Sequence, residues 1–243
     1  ILNRKDVAGF NITVPHKVKA KEILEENFPS GSSYLYNKLS GAINTVKRVG
    51  NGLLYLNTDV LGFDQSLAED LKFKPKDKDI IIIGCGGAGR AVIAALIWQN
   101  APHPHKIYMY ENNENAFESA KEHFSKFSIA REKLEFISKD KILDIIKKCK
   151  LLVNTTPVGM KEGDPSPIDK KLLHKDLSIY DVVYNRETEL IKDAKSLGLQ
   201  YSGGLGMLLY QGAHAFEFWT GQKAPIDTMR KALSSAINSK LTL

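Results

Sequence analysis

Three glycines at the spacing G-x-G-x-x-G, Gly84, Gly86 and Gly89, follow a run of four isoleucines and precede a helix-patterned stretch. Strand, turn and helix in that order make a dinucleotide cradle. The first glycine allows the tight turn, the second lets the backbone approach a pyrophosphate, and the third lets helix and strand pack closely. Gly87 and Ala88 lie between them, and the free N–H groups at the helix start would face the anion. A carboxylate about 20 residues on should read the adenosine ribose, and Glu111 follows the next strand-like run. Polar side chains gather elsewhere: Asn11, Thr13 and Lys17 around Pro15, Asn44 and Thr45 in an apolar stretch, Asn57-Thr58-Asp59, and Gln211 near Gly203-Gly204. Such groups facing a cleft suit a polyhydroxylated ligand, because each buried hydroxyl needs a partner. Taken singly they have plainer readings, a helix cap at 57–59 and one surface lysine among many at Lys17. The expectation from these residues is a bound dinucleotide beside a cleft for a polyhydroxylated ligand.

The elements that must position these residues fall into two patterns. Residues 10–14 alternate and read as a strand closed by Pro15, followed by a helix over 16–27 and a loop over 29–33. Residues 42–49 and 53–57 read as strands joined by a Gly-Asn-Gly turn, with a short helix over 62–71. Beyond a lysine-rich stretch the rhythm changes. Strands over 79–83, 106–110, 134–137, 151–154, 178–183 and 199–202 alternate with helices over 88–99, 115–126, 140–148 and 187–197. That alternation predicts an α/β fold, an α/β substrate lobe joined to a Rossmann-type lobe with a parallel sheet. The expected division is a substrate lobe over 1–74, a dinucleotide-binding lobe over 75–204, and helices over 205–243 packing back on the first lobe.

The 243 residues are 43% hydrophobic, enough for a substantial core, and no apolar run approaches the roughly 20 residues that span a bilayer. The net charge of +6 is spread over dispersed lysines, which disfavours a nucleic-acid footprint. Two cysteines, Cys85 and Cys149, make no disulfide framework and suit reduced thiols in the cytoplasm. No metal site is expected. The chain begins Ile-Leu-Asn without an initiator Met, so sequence N-terminal to it is expected to be missing.

Together the segments resemble shikimate dehydrogenase. GFNITVPHK (9–17) is similar to that family's G-x-N-V-T-x-P-x-K, GAINT (41–45) to its G-A-x-N-T, and NTDVLGF (57–63) to its N-T-D-x-x-G. GCGGAGRA (84–91), NTTPVGM (154–160) and GLGMLLYQGAHAFEFWTG (204–221) match the remaining signatures in order. The resemblance implies reversible NAD(P)-dependent reduction of 3-dehydroshikimate to shikimate, on the way to aromatic amino acids. It implies Lys17 and Asp59 as the catalytic pair: reducing a ketone needs a proton or positive charge at oxygen, and an ammonium held by a carboxylate supplies it. It further implies Thr13, Asn44, Tyr184 and Gln211 as contacts to the ring, Val182 and Gly204 near the nicotinamide, and Thr155 lining the cofactor cleft.

The departures shape the cofactor expectation. The family's Asn-Arg-Thr at the 2′-phosphate is replaced by Glu111-Asn112-Asn113, and no arginine stands beside Glu111 in sequence. NAD is therefore expected over NADP. The family's N-terminal strand and its Ser-x-Ser element, which holds the substrate carboxylate, have no counterpart here. Residues 29–38 suggest a longer loop, and Asn185-Arg186 replaces a commoner proline-containing stretch. The alternatives are an NAD-dependent quinate/shikimate dehydrogenase and a nucleotide-binding regulator without catalysis. The latter conflicts with the intact Lys17 and Asp59. A folate-linked dehydrogenase has a similar plan but matches fewer motifs. Partners would be small molecules, with no nucleic acid or membrane, and the chain a monomer or homodimer.

Overall fold

Four consecutive isoleucines, Ile80 to Ile83, are almost wholly removed from solvent on both faces of a strand, as the central strand of a covered parallel sheet demands. The computed structural model of the chain describes residues 4, 6–31, 34–98 and 103–241. A small sheet comes first. β1 (Gly9–Asn11), β2 (Thr45–Val49) and β3 (Gly52–Leu56) pair antiparallel in that order. Around it lie α1 (Lys17–Asn27), α2 (Leu35–Ser40) and α3 (Thr58–Glu69). The first predicted strand is shorter than its alternation implies. Pairing stops at Asn11 opposite Thr45, and Val14 stands 68% exposed before the cis Val14–Pro15 bond. Helix α3 starts earlier than predicted, because the Asn57 side chain caps it by accepting from the Asp59 amide at 3.1 Å.

The second sheet is parallel throughout. It contains β4 (Asp79–Ile83), β5 (Lys106–Tyr110), β6 (Leu134–Phe136), β7 (Leu151–Asn154), β8 (Ser178–Asp181) and β9 (Tyr201–Ser202) in the order β6-β5-β4-β7-β8-β9. Counted within the sheet this is 3-2-1-4-5-6, the doubly wound dinucleotide-binding order. The connecting helices are α4 (Gly87–Ile97), α5 (Glu114–Ser125), α6 (Ser128–Lys133), α7 (Ile142–Ile145) and α8 (Glu189–Ser196). Sequence periodicity misses α6, whose six residues bury only Ala130 and so carry no apolar stripe. The helix predicted over 140–148 is one α-turn between two 3-10 turns. Ile142, Ile145 and Ile146 are buried, and this single anchored face is too short to sustain a longer helix.

The chain closes with α9 (Leu205–Thr220) and α10 (Ile226–Leu241). α9 returns to lie along α3, and the two meet at backbone distance: a Cβ on Gly62 would stand 2.7 Å from the Gln211 nitrogen. One apolar cluster runs from Tyr36 and Leu39 through Val60 and Phe63 to Ile80, Ile82 and the buried face of α4. Tyr180 of β8 donates to Ser66 Oγ of α3 at 2.7 Å, and Ser66 donates to Asp70 at 2.8 Å. The two sheets thus share a core, and polar bonds tie α3 to the second sheet. Among the described residues no helix is long and apolar enough to cross a membrane.

Candidate active site

Lys17 is the first residue of α1, and its carbonyl accepts from the Ile43 amide at 3.0 Å, tying the helix start to the segment before β2. Its Nζ donates to Asp59 Oδ2 at 2.6 Å. Both side chains are withdrawn from water, with 14% and 8% of their surface exposed. A charge pair so desolvated needs further hydrogen bonds to hold it. Asn44 supplies one, donating from Nδ2 to Asp59 Oδ1 at 3.0 Å and to Thr58 Oγ1 at 3.0 Å. Its carbonyl oxygen accepts from the Thr58 amide and the Thr45 hydroxyl, each at 2.8 Å. Asn11 donates to Thr45 Oγ1 at 3.0 Å, and Thr58 donates to Gln211 Oε1 at 3.4 Å.

Seven of the residues singled out from sequence therefore converge: Asn11, Lys17, Asn44, Thr45, Thr58, Asp59 and Gln211. Thr13 and Tyr184 do not join them. Both are exposed, and neither makes a side-chain hydrogen bond to this network among the described residues. Asn44 is already saturated by protein partners, so the geometry makes it a holder of Asp59. The supporting layer went unnoticed in the sequence. Asn37 accepts from the Asn57 amide at 2.8 Å, and Ser40 accepts from Asn57 Nδ2 at 3.2 Å. These residues fix the start of α3, and hence Asp59, from a helix whose apolar pattern gave no hint of it.

The glycine turn lies against this pair. A Cβ on Gly87 would be 3.3 Å from Lys17 Cδ, so the lysine stem rests on the dinucleotide loop. A Cβ on Gly86 would meet nothing within 4 Å, leaving open space where a ligand backbone would approach, whereas on Gly89 it would fall 2.3 Å from the Gly84 carbonyl. The third glycine is thus compelled by close packing and the second left free, which fits a bound pyrophosphate. β4 and β7 flank the point where the strand order reverses, and there the Thr155 hydroxyl is shared between the carbonyls of Ile83 at 3.0 Å and Gly84 at 2.6 Å. Thr155 therefore fastens the turn as well as lining its cleft. Val182 and Gly204 meet beside it, since a Cβ on Gly204 would fall 2.0 Å from the Val182 carbonyl.

Glu111 is engaged by the protein itself. Its carboxylate accepts from the Cys85 amide at 2.7 Å and from the Asn113 amide at 2.8 Å, with lone pairs left for a ribose. Asn112 accepts from the Tyr110 hydroxyl at 3.1 Å. Beneath the turn, Arg90 is 5% exposed and donates to Ser119 Oγ at 2.9 Å. In the sequence it is concealed inside the glycine motif, 21 positions ahead of Glu111. Burial pushes the Cys85 and Cys149 thiols up to about 12, so neither is a nucleophile. Among the described residues no group of three His, Cys, Asp or Glu converges to hold a metal ion. A cavity of about 460 Å³ does exist at the opposite, N-terminal edge of the parallel sheet, between Lys78, His105, Lys148 and Lys150. It lies away from both the glycine turn and the Lys17–Asp59 pair, and we assign the chemistry to the latter because the convergent buried charges are there.

A shikimate dehydrogenase (NADP(+)) of Methanobrevibacter smithii is 36% identical over 236 residues, covering 96% of this chain and 79% of that protein. The chain belongs to the shikimate dehydrogenase family. A family profile described as the shikimate 5′-dehydrogenase C-terminal domain matches residues 204–233, which include α9. Among solved structures, the shikimate 5-dehydrogenase of Thermus thermophilus in complex with NADP(H) and shikimate superimposes with a TM-score of 0.77 at 29% identity, covering 96% of this chain and 80% of that one. A quinate dehydrogenase of Corynebacterium glutamicum in complex with NAD gives 0.79 at 30% identity, covering 95% and 78%. The shikimate dehydrogenase family is one of NAD(P)-dependent oxidoreductases acting on a CH–OH group, and the doubly wound sheet, the glycine turn and the buried Lys17–Asp59 pair are in keeping with it.

Proposed function

We propose that this protein catalyses the reversible NAD(P)-dependent interconversion of 3-dehydroshikimate and shikimate. The observation that carries the reading is the buried Lys17–Asp59 pair, whose lysine stem rests on the dinucleotide loop. The nicotinamide supplies the hydride in one direction and takes it in the other. Everything else falls to this chain. An ammonium has three donors, and the bond to Asp59 uses one of them, so Lys17 can hold the substrate oxygen with another. In reduction it gives that oxygen a proton as the hydride reaches carbon; in oxidation neutral Lys17 takes the hydroxyl proton. Asp59, fixed from both oxygens by Lys17 and Asn44, keeps the ammonium aimed and balances its charge. Gln211, Thr13 and Tyr184 are assigned to the ring's remaining polar groups, with the latter two open to solvent and free to meet a ligand.

Gly84, Gly86, Gly87, Ala88 and Gly89 would cradle the pyrophosphate at the α4 N-terminus. Glu111 and Asn112 would face the adenosine ribose, and Thr155, Val182 and Gly204 the nicotinamide side. The ligands are then two small molecules, and the free buried thiols suit a reducing cytoplasm. Likeness to a quinate dehydrogenase bound to NAD favours one second reading, a dual quinate/shikimate enzyme. Initial rates with shikimate and quinate, each with NAD and NADP, test both. Turnover of shikimate supports the proposal, comparable turnover of quinate supports the second reading, and dinucleotide binding with turnover of neither supports a regulator.

A further inference from the structure

Asp181 ends β8 at the carboxyl edge of the parallel sheet and is wholly buried, yet the proton chemistry of the site makes no use of it. Its Oδ1 accepts from Asn154 Nδ2 at 2.9 Å and from the Val183 amide at 3.1 Å, and its Oδ2 accepts from the Thr188 hydroxyl at 2.7 Å. Each of these partners is fixed as a donor. Asn154 turns its carbonyl oxygen to the Thr156 amide at 3.1 Å, and the Thr188 hydroxyl accepts from the Ile191 amide at 3.3 Å, which leaves its hydrogen for Asp181. A carboxyl group that faces three donors is matched when ionised, because a carboxylate only accepts. Thr188 also caps α8, whose N-terminus favours an anion. Burial pushes the Asp181 pKa up, and the bonds from Thr188, Val183 and Asn154 oppose this. None of the three partners carries a positive charge. A buried anion held by neutral groups alone gains from any cation brought near it.

The same carboxylate gathers the segments that would wall the nicotinamide. Through Asn154, which also donates to the Val158 carbonyl at 3.3 Å, it holds the turn over 154–158. Through the Val183 amide it holds the segment whose carbonyl accepts from the Gly204 amide at 3.1 Å, where α9 begins. β7, β8 and β9 make the second half of the doubly wound sheet, the half that takes the nicotinamide nucleotide when the glycine turn of the first half takes the pyrophosphate. The nicotinamide ring is a cation when oxidised and neutral when reduced. Across the cleft, the Lys17–Asp59 pair sums to no charge. We propose that Asp181 acts on this ring as a buried fixed charge, so that the chain binds the oxidised cofactor more tightly than it would with a neutral residue there, relative to the reduced one. Asp181 then also stabilises the positive charge that develops on the ring as hydride passes to the ketone carbon. This deepens the dehydrogenase reading and rests on its placement of the nicotinamide beside Val182 and Gly204.

Binding is the test, because it needs no turnover and separates charge from shape. Asp181→Asn keeps the shape: its oxygen can still accept from Asn154 and Val183, and its amide can donate to the Thr188 hydroxyl. Dissociation constants for the oxidised and reduced forms of NAD and of NADP are measured by calorimetry on the wild type and this variant. ADP-ribose or its 2′-phosphate, matched to the tighter pair, serves as the probe that lacks the ring. The expected result is a rise of about threefold or more in the ratio of oxidised to reduced Kd, the size a unit charge gives across several ångströms of protein. The ADP-ribose probe should change by less than about twofold. Equal losses for the oxidised and reduced forms are what a merely structural residue gives, and they overturn the proposal, as does an unchanged or lowered ratio. Should Asp181→Asn fail to fold, Asp181→Ser, smaller and also neutral, carries the same expectation and the same refutation. A wild type that binds neither dinucleotide defeats the whole cofactor reading, whereas a variant that binds with the wild-type ratio defeats only this one.

Discussion

The Lys17 ammonium and the Asp59 carboxylate meet at 2.6 Å from the first turns of two different helices, α1 and α3. Each is mostly buried, and each is the other's only ion-pair partner among the described residues. Removing the ammonium therefore has two consequences that can be separated. Lys17→Met should lower kcat by about 10²–10⁴-fold for loss of proton transfer. It should also destabilise the fold by about 3 kcal/mol, because Asp59 is left buried without its counter-charge. The double variant Lys17→Met/Asp59→Leu should recover most of that stability and none of the activity. Urea melts and steady-state rates on the three proteins check both parts; a Lys17→Met enzyme with wild-type kcat would refute the role of the ammonium.

Asn44 holds Asp59 in place and is itself 2% exposed. Asn44→Ala would strand the Thr58 amide and one Asp59 oxygen, at a cost of about 2–4 kcal/mol when these buried bonds are lost together. Asn44→Asp would bring a second carboxyl to 3.0 Å from Asp59, in the place of the amide nitrogen. Two like charges so close are unfavourable, so the expected outcome is a protein whose kcat falls further than its KM rises. A substrate-binding role alone would give the opposite split.

The glycines of the turn separate packing from binding. Gly86→Ala adds a methyl to open space, so the melting temperature should move by less than about 2 °C while dinucleotide affinity falls about tenfold or more. Gly89→Ala drives a methyl to 2.3 Å from the Gly84 carbonyl, and the strand–helix junction must open. About 2–3 kcal/mol of destabilisation is expected, of the size overpacking brings. Thermal melts with and without dinucleotide distinguish the two variants, and equal behaviour would contradict the assignment.

Much of this was legible because physics writes it in local patterns. Ile80 to Ile83 could only be a strand covered on both faces, and the glycine spacing followed it directly. The Lys17–Asp59 pair was a different matter. The two residues are 42 positions apart, and nothing in either helix's periodicity aims one at the other. Only family resemblance joined them. Asn37 and Ser40 were invisible for the same reason, since a polar residue on a buried helix face looks like noise until its partner across the fold is known. Arg90 was hidden by the opposite effect: it stands inside a strong local motif, and its partner Ser119 lies in another helix.

His123 offers a pH test of how the two sheets are held together. Its Nε2 lies 2.8 Å from the Leu39 carbonyl, so α5 is bonded to α2, and neutral histidine with that nitrogen protonated makes the bond. Burial pushes its pKa down to about 4; the bond to Leu39 opposes this, and Arg90, Lys21 and Lys126 add to it. An unfolded histidine titrates near 6.5. Between these values the unfolded chain binds more protons than the folded one, so stability from this site is complete above about pH 6.5 and is lost as pH falls toward 4. The ring keeps some contact with water, which screens the charge, and about 2 kcal/mol is expected across the window. His123→Gln, which can still donate to Leu39 but does not titrate, isolates it. Urea midpoints of the two proteins should run parallel above pH 7 and diverge below 6, with the wild type falling faster; a constant difference across that range would exclude His123 as the titrating group.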